Sequence, residues 1–164
     1  MKTTQLNPFQ EGENKGRKLF QEVVNQSKNT TDLTFDSDEY STTDYRFKIN
    51  DIPFVGEIKV RDAYCDNYPD LILEKKKYDA LKAKAKEING YATYINFIGD
   101  DKLYMFDLRK ITNQNCKVEM KRCRKTTAVC GGYVDKAVIM IPKELGRLYI
   151  KDNNIWLNGI FNNN

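Results

Sequence analysis

Two short runs of alternating polar and apolar residues, separated by Asn50-Asp51, constrain the fold of this chain more than any other feature. Asp44-Tyr45-Arg46-Phe47-Lys48-Ile49 alternates throughout, and Ile52 to Val60 alternates after its first turn. A period of two marks a strand with two unlike faces. Asn and Asp both tolerate positive φ, which a two-residue hairpin turn demands. That turn sets the register: Ile49 faces Ile52, Phe47 faces Phe54, and Asp44 faces Glu57. Directly opposed residues of an antiparallel pair project to the same side, with Cβ atoms about 4.5–5.5 Å apart. Tyr45, Phe47, Ile49, Ile52, Phe54, Ile58 and Val60 then form one apolar face, while Asp44, Glu57 and Lys59 share the other.

Like charges set opposite each other are destabilising unless something positive stands between them. Lys59, roughly 6–7 Å along the strand from Glu57, supplies one such charge. A divalent cation would neutralise the pair more completely, through hard oxygen ligands. A solvated strand face of mixed charge is the plainer alternative. The chemistry is narrowed by an absence, because the chain has no histidine. That removes Ser-His-Asp hydrolysis, Cys-His hydrolysis and H-E-x-x-H zinc proteolysis. A general base near neutral pH is then a carboxylate, a lysine or water on a metal.

The rest of the chain reads as one mixed α/β unit over residues 1–164. Residues 1–13 are polar and read as a loose arm; a helix follows over 14–28, with Leu19, Phe20, Val23 and Val24 as its apolar stripe. Leu33 and Phe35 mark a short strand, and Arg61 to Pro69 a turn-rich loop. A second helix is expected over 70–88, with Leu71, Glu74, Tyr78, Leu81, Ala85 and Ile88 at spacings of three and four and a stop at Asn89-Gly90. Hairpins are expected for 91–98 with 102–108, and for 149–151 with 155–157; 116–125 and 136–141 read as further strands, and the tail 162–164 as frayed.

Charge is mild overall, at +4 for 164 residues, but it is unevenly placed. Lys82, Lys84 and Lys86 fit a solvated helix face. Lys121, Arg122, Arg124 and Lys125 lie on a strand-like segment whose cations can track a phosphate backbone. Of the four cysteines, Cys116, Cys123 and Cys130 recur every seven residues, with Cys65 far upstream. No close pair of the kind zinc sites use is present, so free thiols are the expectation and a zinc site the alternative. No apolar stretch suits a signal peptide or a membrane span, so the chain is expected to stay where it is made, in the cytoplasm of a bacterial or phage-infected cell.

The order of Asp44, twelve residues, then Glu57-x-Lys59, followed by a helix and a hairpin, resembles the PD-(D/E)XK nuclease superfamily. That superfamily includes restriction endonucleases, phage exonucleases and archaeal-type Holliday junction resolvases. The segments FVGEIKVRD, LILEKKKYDAL and YINFIGDDKLYMFDL are similar to small phage-type or bacterial members. The resemblance covers about residues 14–108 and implies a central mixed β-sheet flanked by helices, in αβββαβ order. It further implies phosphodiester hydrolysis on nucleic acid, DNA foremost, with Mg²⁺ or Mn²⁺ held by Asp44, Glu57 and the Ile58 carbonyl, and with Lys59 beside the attacking water. It points to Lys77, with Glu74 as alternative, on the helix after the strand, and to Glu22 on the first helix. Homodimers are common among such relatives. The Pro of the name motif is missing, since Thr43 precedes Asp44. Two alternatives remain open: a non-catalytic nucleic-acid-binding protein, and a structural or interaction module that keeps the fold.

Overall fold

The computed structural model describes residues 8–38, 41–125 and 131–159. Cys130, the tail 162–164 and the first seven residues of the expected arm lie outside them. Helix α1 spans Pro8–Asn25. The expected arm is therefore helical from Pro8 on. A proline costs nothing in a first turn whose N–H groups have no intrahelical acceptor, and Glu11 favours the positive end of the helix. Strands β1 (Thr30–Phe35), β2 (Tyr45–Ile49) and β3 (Ile52–Arg61) follow. Asn50 and Asp51 adopt φ of 48° and 65°, and the expected register holds, with Ile49 against Ile52 and Phe47 against Phe54.

A short 3₁₀ turn at Ala63–Asn67 leads to β4 (Asp70–Glu74) and then to α2 (Lys75–Glu87). Residues 70–74, expected to be helical, form a strand instead. Leu71 and Leu73 are both buried, at alternate positions, and β4 pairs with a distant strand. In so short an apolar run, tertiary pairing overrides local periodicity. Leu81 and Ala85 of the expected helical stripe are buried, with Tyr78 and Ile88 packed on them. Strands β5 (Tyr91–Ile98), β6 (Lys102–Asp107), β7 (Lys117–Arg124), β8 (Tyr133–Pro142), β9 (Arg147–Asp152) and β10 (Ile155–Asn158) complete the order.

Seven strands form the central sheet, in the order β1-β2-β3-β5-β6-β9-β10. The β3–β5 pair is parallel and the other pairs antiparallel, so the sheet is mixed. β5 sits at its centre and is buried along nearly its whole length, as a strand covered on both faces must be. α1 covers one face, over a core of Phe20, Tyr45, Phe47, Ile95, Phe97 and Leu103. Gly16 permits the close approach, since a Cβ there would lie 2.8 Å from Ile58 Cγ2. α2 covers the other face together with a second, three-stranded sheet in the order β4-β8-β7. Leu71, Leu73, Ile139 and Ile141 of that sheet join Val55, Tyr94 and Phe106 in one core. Setting aside the inserted β4, the order α1-β1-β2-β3-α2-β5 is the expected αβββαβ core. Among the described residues no helix is long and apolar enough to cross a membrane.

Candidate active site

The two faces of β3 lead separate lives. Ile58 and Val60 turn toward α1, while Val55, Glu57, Lys59 and Arg61 turn toward α2. Glu57 is only 3% exposed. Lys59 Nζ lies 2.7 Å from Glu57 Oε1, and Lys77 Nζ, from the first turn of α2, lies 2.8 Å from Oε2. Each oxygen of this buried carboxylate therefore has a lysine ammonium group against it. Burial alone would raise the Glu57 carboxyl, but the charges of Lys59 and Lys77 outweigh it and hold the group ionised. Lys59 is raised in turn, because the attraction of Glu57 exceeds the desolvation of an ammonium group on a side chain that stays half-exposed.

Asp44 stands just before β2, and the paired register ends at Tyr45 opposite Gly56, so Asp44 lies beside Glu57 without the strict pairing expected of it. Its backbone N–H donates to the Gly56 carbonyl at 2.8 Å, and its Oδ2 accepts from the Ile58 N–H at 2.8 Å. The carboxylate thus takes the place that a longer β2 would have filled. Burial, then the charge of Glu57, push the Asp44 carboxyl up to about 6, against the lowering effect of the Ile58 N–H. A residue of a strand turns its N–H and C=O toward the same edge. The Ile58 carbonyl therefore faces the edge that β2 has left, beside Asp44. Two carboxylates and one backbone carbonyl lie together there, and burial and repulsion both act on Asp44. Mg²⁺ or Mn²⁺ suits such a set, since Mg²⁺ needs only one or two carboxylates and keeps several waters. Among the described residues no three His, Cys, Asp or Glu side chains gather as a metal cluster. Cys65, Cys116 and Cys123 are partly buried free thiols.

Supporting contacts that sequence reasoning missed hold Asp44 in place. Asp36 Oδ2 accepts from the hydroxyls of Ser41 and Thr43, and the Asp36 N–H donates to the Asp44 carbonyl at 3.0 Å. Arg17 of α1 donates to the Asp36 carbonyl at 2.7 Å. In sequence Asp36 is one acid in a run that reads as solvated. Arg61 is two residues beyond Lys59 on the same face, a position the alternation could have flagged. It donates to Asn96 Oδ1, the Tyr94 hydroxyl and the Ile72 carbonyl, each at 2.8 Å, and so joins the two sheets.

The structure brings Asp44, Glu57, Lys59 and Lys77 together and leaves Glu22 out. Glu22 pairs with Lys151 of β9 at 2.7 Å, because α1 lies on the sheet face opposite Glu57. Glu74 ends β4 and pairs with Lys136 at 2.7 Å rather than with the carboxylates. Lys121, Arg122, Arg124 and Lys125 lie on or just after β7, in the three-stranded sheet, apart from the carboxylates.

No protein-family model and no curated protein matches the chain. Among solved structures it is similar to Hjc, a Holliday junction resolvase from the archaeal hyperthermophile Archaeoglobus fulgidus. The identity is 12%, over 80% of this chain and 89% of that one, with a TM-score of 0.49. A likeness of that size carries no weight for function, which rests on the site itself.

Proposed function

We propose that the chain is a metal-dependent nuclease that hydrolyses phosphodiester bonds of nucleic acid, with DNA as the first substrate. The observation that carries this reading is the convergence of Asp44 and Glu57 with two lysine ammonium groups where β3 runs on past the start of β2. Asp44, Glu57 and the Ile58 carbonyl would hold Mg²⁺ or Mn²⁺. Bound there, such a cation lowers the pKa of water and polarises a phosphoryl oxygen. Lys59, kept protonated by Glu57, donates hydrogen bonds that orient water and offset charge growing on the phosphate. Lys77 stands on the first turn of α2, where Lys75, Lys76 and Lys77 crowd an N-terminus that ordinarily prefers acids. That placement opposes helix stability and favours a phosphate anion.

A second reading has one observation in its favour. Lys59 and Lys77 already balance Asp44 and Glu57 charge for charge, as a structural ion cluster would. A nucleic-acid-binding protein without catalysis, or a structural module, would follow. The two readings separate when plasmid, linear duplex, single strands and a four-way junction are each incubated with Mg²⁺, Mn²⁺ or EDTA. The nuclease reading expects cleavage that EDTA stops and that Lys59→Ala reduces by at least tenfold. If no substrate is cut in either metal, the ion-cluster reading takes its place.

A further inference from the structure

We infer that the β7–β8 ribbon docks a nucleic-acid duplex by entering its major groove with the face that carries Arg122, Arg124 and Tyr133. The identity of the partner rests on the nuclease reading; the docking geometry does not. β4 pairs only with residues 138–142 of β8. The next five pairs, from Met120 with Ala137 to Arg124 with Tyr133, join β7 and β8 alone. At about 3.4 Å per residue they overhang the three-stranded sheet by roughly 14–17 Å. The overhang leaves from the Glu74 end of β4, where α2 begins, and Lys77 on the first turn of α2 is the residue that reaches Glu57. The ribbon therefore stems from the flank of the candidate site.

Its charge selects the partner. Residues 117–137 contain six basic and two acidic side chains, an excess equal to the whole chain's +4. Two copies of such a ribbon repel each other, whereas a phosphate backbone attracts both. On the other face of the overhanging pairs the two cations are engaged: Lys136 pairs with Glu74 at 2.7 Å and Lys121 with Glu119 at 3.4 Å. The Arg122 face differs. Met120 is 68% exposed and Tyr133 54%, with the Arg122 guanidinium 5.5 Å from the centre of the Tyr133 ring. Asp135, opposite Arg122, is the one acid on it. A two-stranded ribbon has the width that the major groove admits; arginines there meet guanine edges or phosphates, and apolar groups meet thymine methyls.

The test is equilibrium binding of a labelled duplex, in EDTA so that nothing is cut, across a series of salt concentrations. Arg122→Gln with Arg124→Gln should weaken binding and flatten the plot of log affinity against log salt by about 0.9 for each phosphate no longer neutralised. Arg122→Lys with Arg124→Lys should restore the slope. Met120→Ser and Tyr133→Ala should weaken duplex binding with the slope unchanged. The inference is overturned if the Gln double variant and Tyr133→Ala bind as the wild type does. It is equally overturned if Met120→Ser only dissociates a dimer in sedimentation and leaves duplex binding intact. A wild type that binds through the ribbon yet never cuts removes the nuclease reading alone; one that cuts while ribbon variants bind normally removes the ribbon alone.

Discussion

Glu57 and Asp44 lie together beside β3 but are held in opposite ways. Glu57 is bracketed by two ammonium groups, whereas Asp44 is bonded by one backbone N–H and feels burial and the Glu57 charge more than the more distant charges of Lys59 and Lys77. The folded protein therefore holds the Asp44 proton up to about pH 6, while the unfolded chain releases it near its ordinary value of 3.8. The folded state binds more protons across that window, so in metal-free protein stability falls as pH rises through it. Asp44→Asn keeps an acceptor for the Ile58 N–H and removes the repelled charge. Denaturant melts in EDTA at pH 7 should show the variant more stable by about 1–3 kcal/mol, with the gain gone near pH 3.5. A variant less stable than wild type at pH 7 would mean that the carboxylate is stabilised, not stressed, by its surroundings. The nearness of Asp44 to Glu57 was legible in sequence because a two-residue turn fixes the register as far as Tyr45 opposite Gly56; that the chain leaves the register at Asp44 was not. Glu22 was misplaced because periodicity shows that α1 has an apolar face but not which side of the sheet it covers. Lys77 was reached only through resemblance, since its position depends on where α2 begins.

Among the elements, the β2–β3 hairpin bears most directly on the site, and Gly56 shows why it is held so closely. Tyr45 crosses over Gly56 to reach Thr93, on the face away from Glu57. A Cβ at Gly56 would lie 2.1 Å from the Tyr45 hydroxyl and 2.3 Å from the Thr93 carbonyl. Backbone oxygen cannot yield as a flexible side chain can. Gly56→Ala should cost about 1–3 kcal/mol, as overpacked cores do, and it should shift Glu57 next door. Thermal melts check the first consequence; an undisturbed melting temperature would show that Tyr45 rotates away freely. The elements that sequence reading missed share one cause. β4 is too short to show a period of its own, and pairing with β8, more than sixty residues later in the chain, decides its state. The three-stranded sheet was invisible for the same reason: its strands were legible one by one, but nothing local says that β7 and β8 leave the central sheet to join β4.

At the scale of the molecule, the layers place a buried carboxylate on an inner strand, a lysine-crowded helix start beside it and a basic ribbon on its flank. Each is a poor choice for stability alone: a buried acid, a first helical turn of three lysines, and an exposed strand pair rich in like charge. Together they make one cationic flank around two acids, which suits a phosphodiester with a divalent cation. Two acids held in this way are expected to form a site for one divalent cation. Calorimetric titration of Mg²⁺ and Mn²⁺ into the wild type and into Asp44→Ala, Glu57→Ala and Lys59→Ala tests it most directly. One cation per chain is expected in the wild type, with affinity reduced at least tenfold in the two acid variants and kept in Lys59→Ala. A wild type that binds neither ion, or binds them equally well without Glu57, would contradict the claim and leave Asp44, Glu57, Lys59 and Lys77 a structural ion cluster.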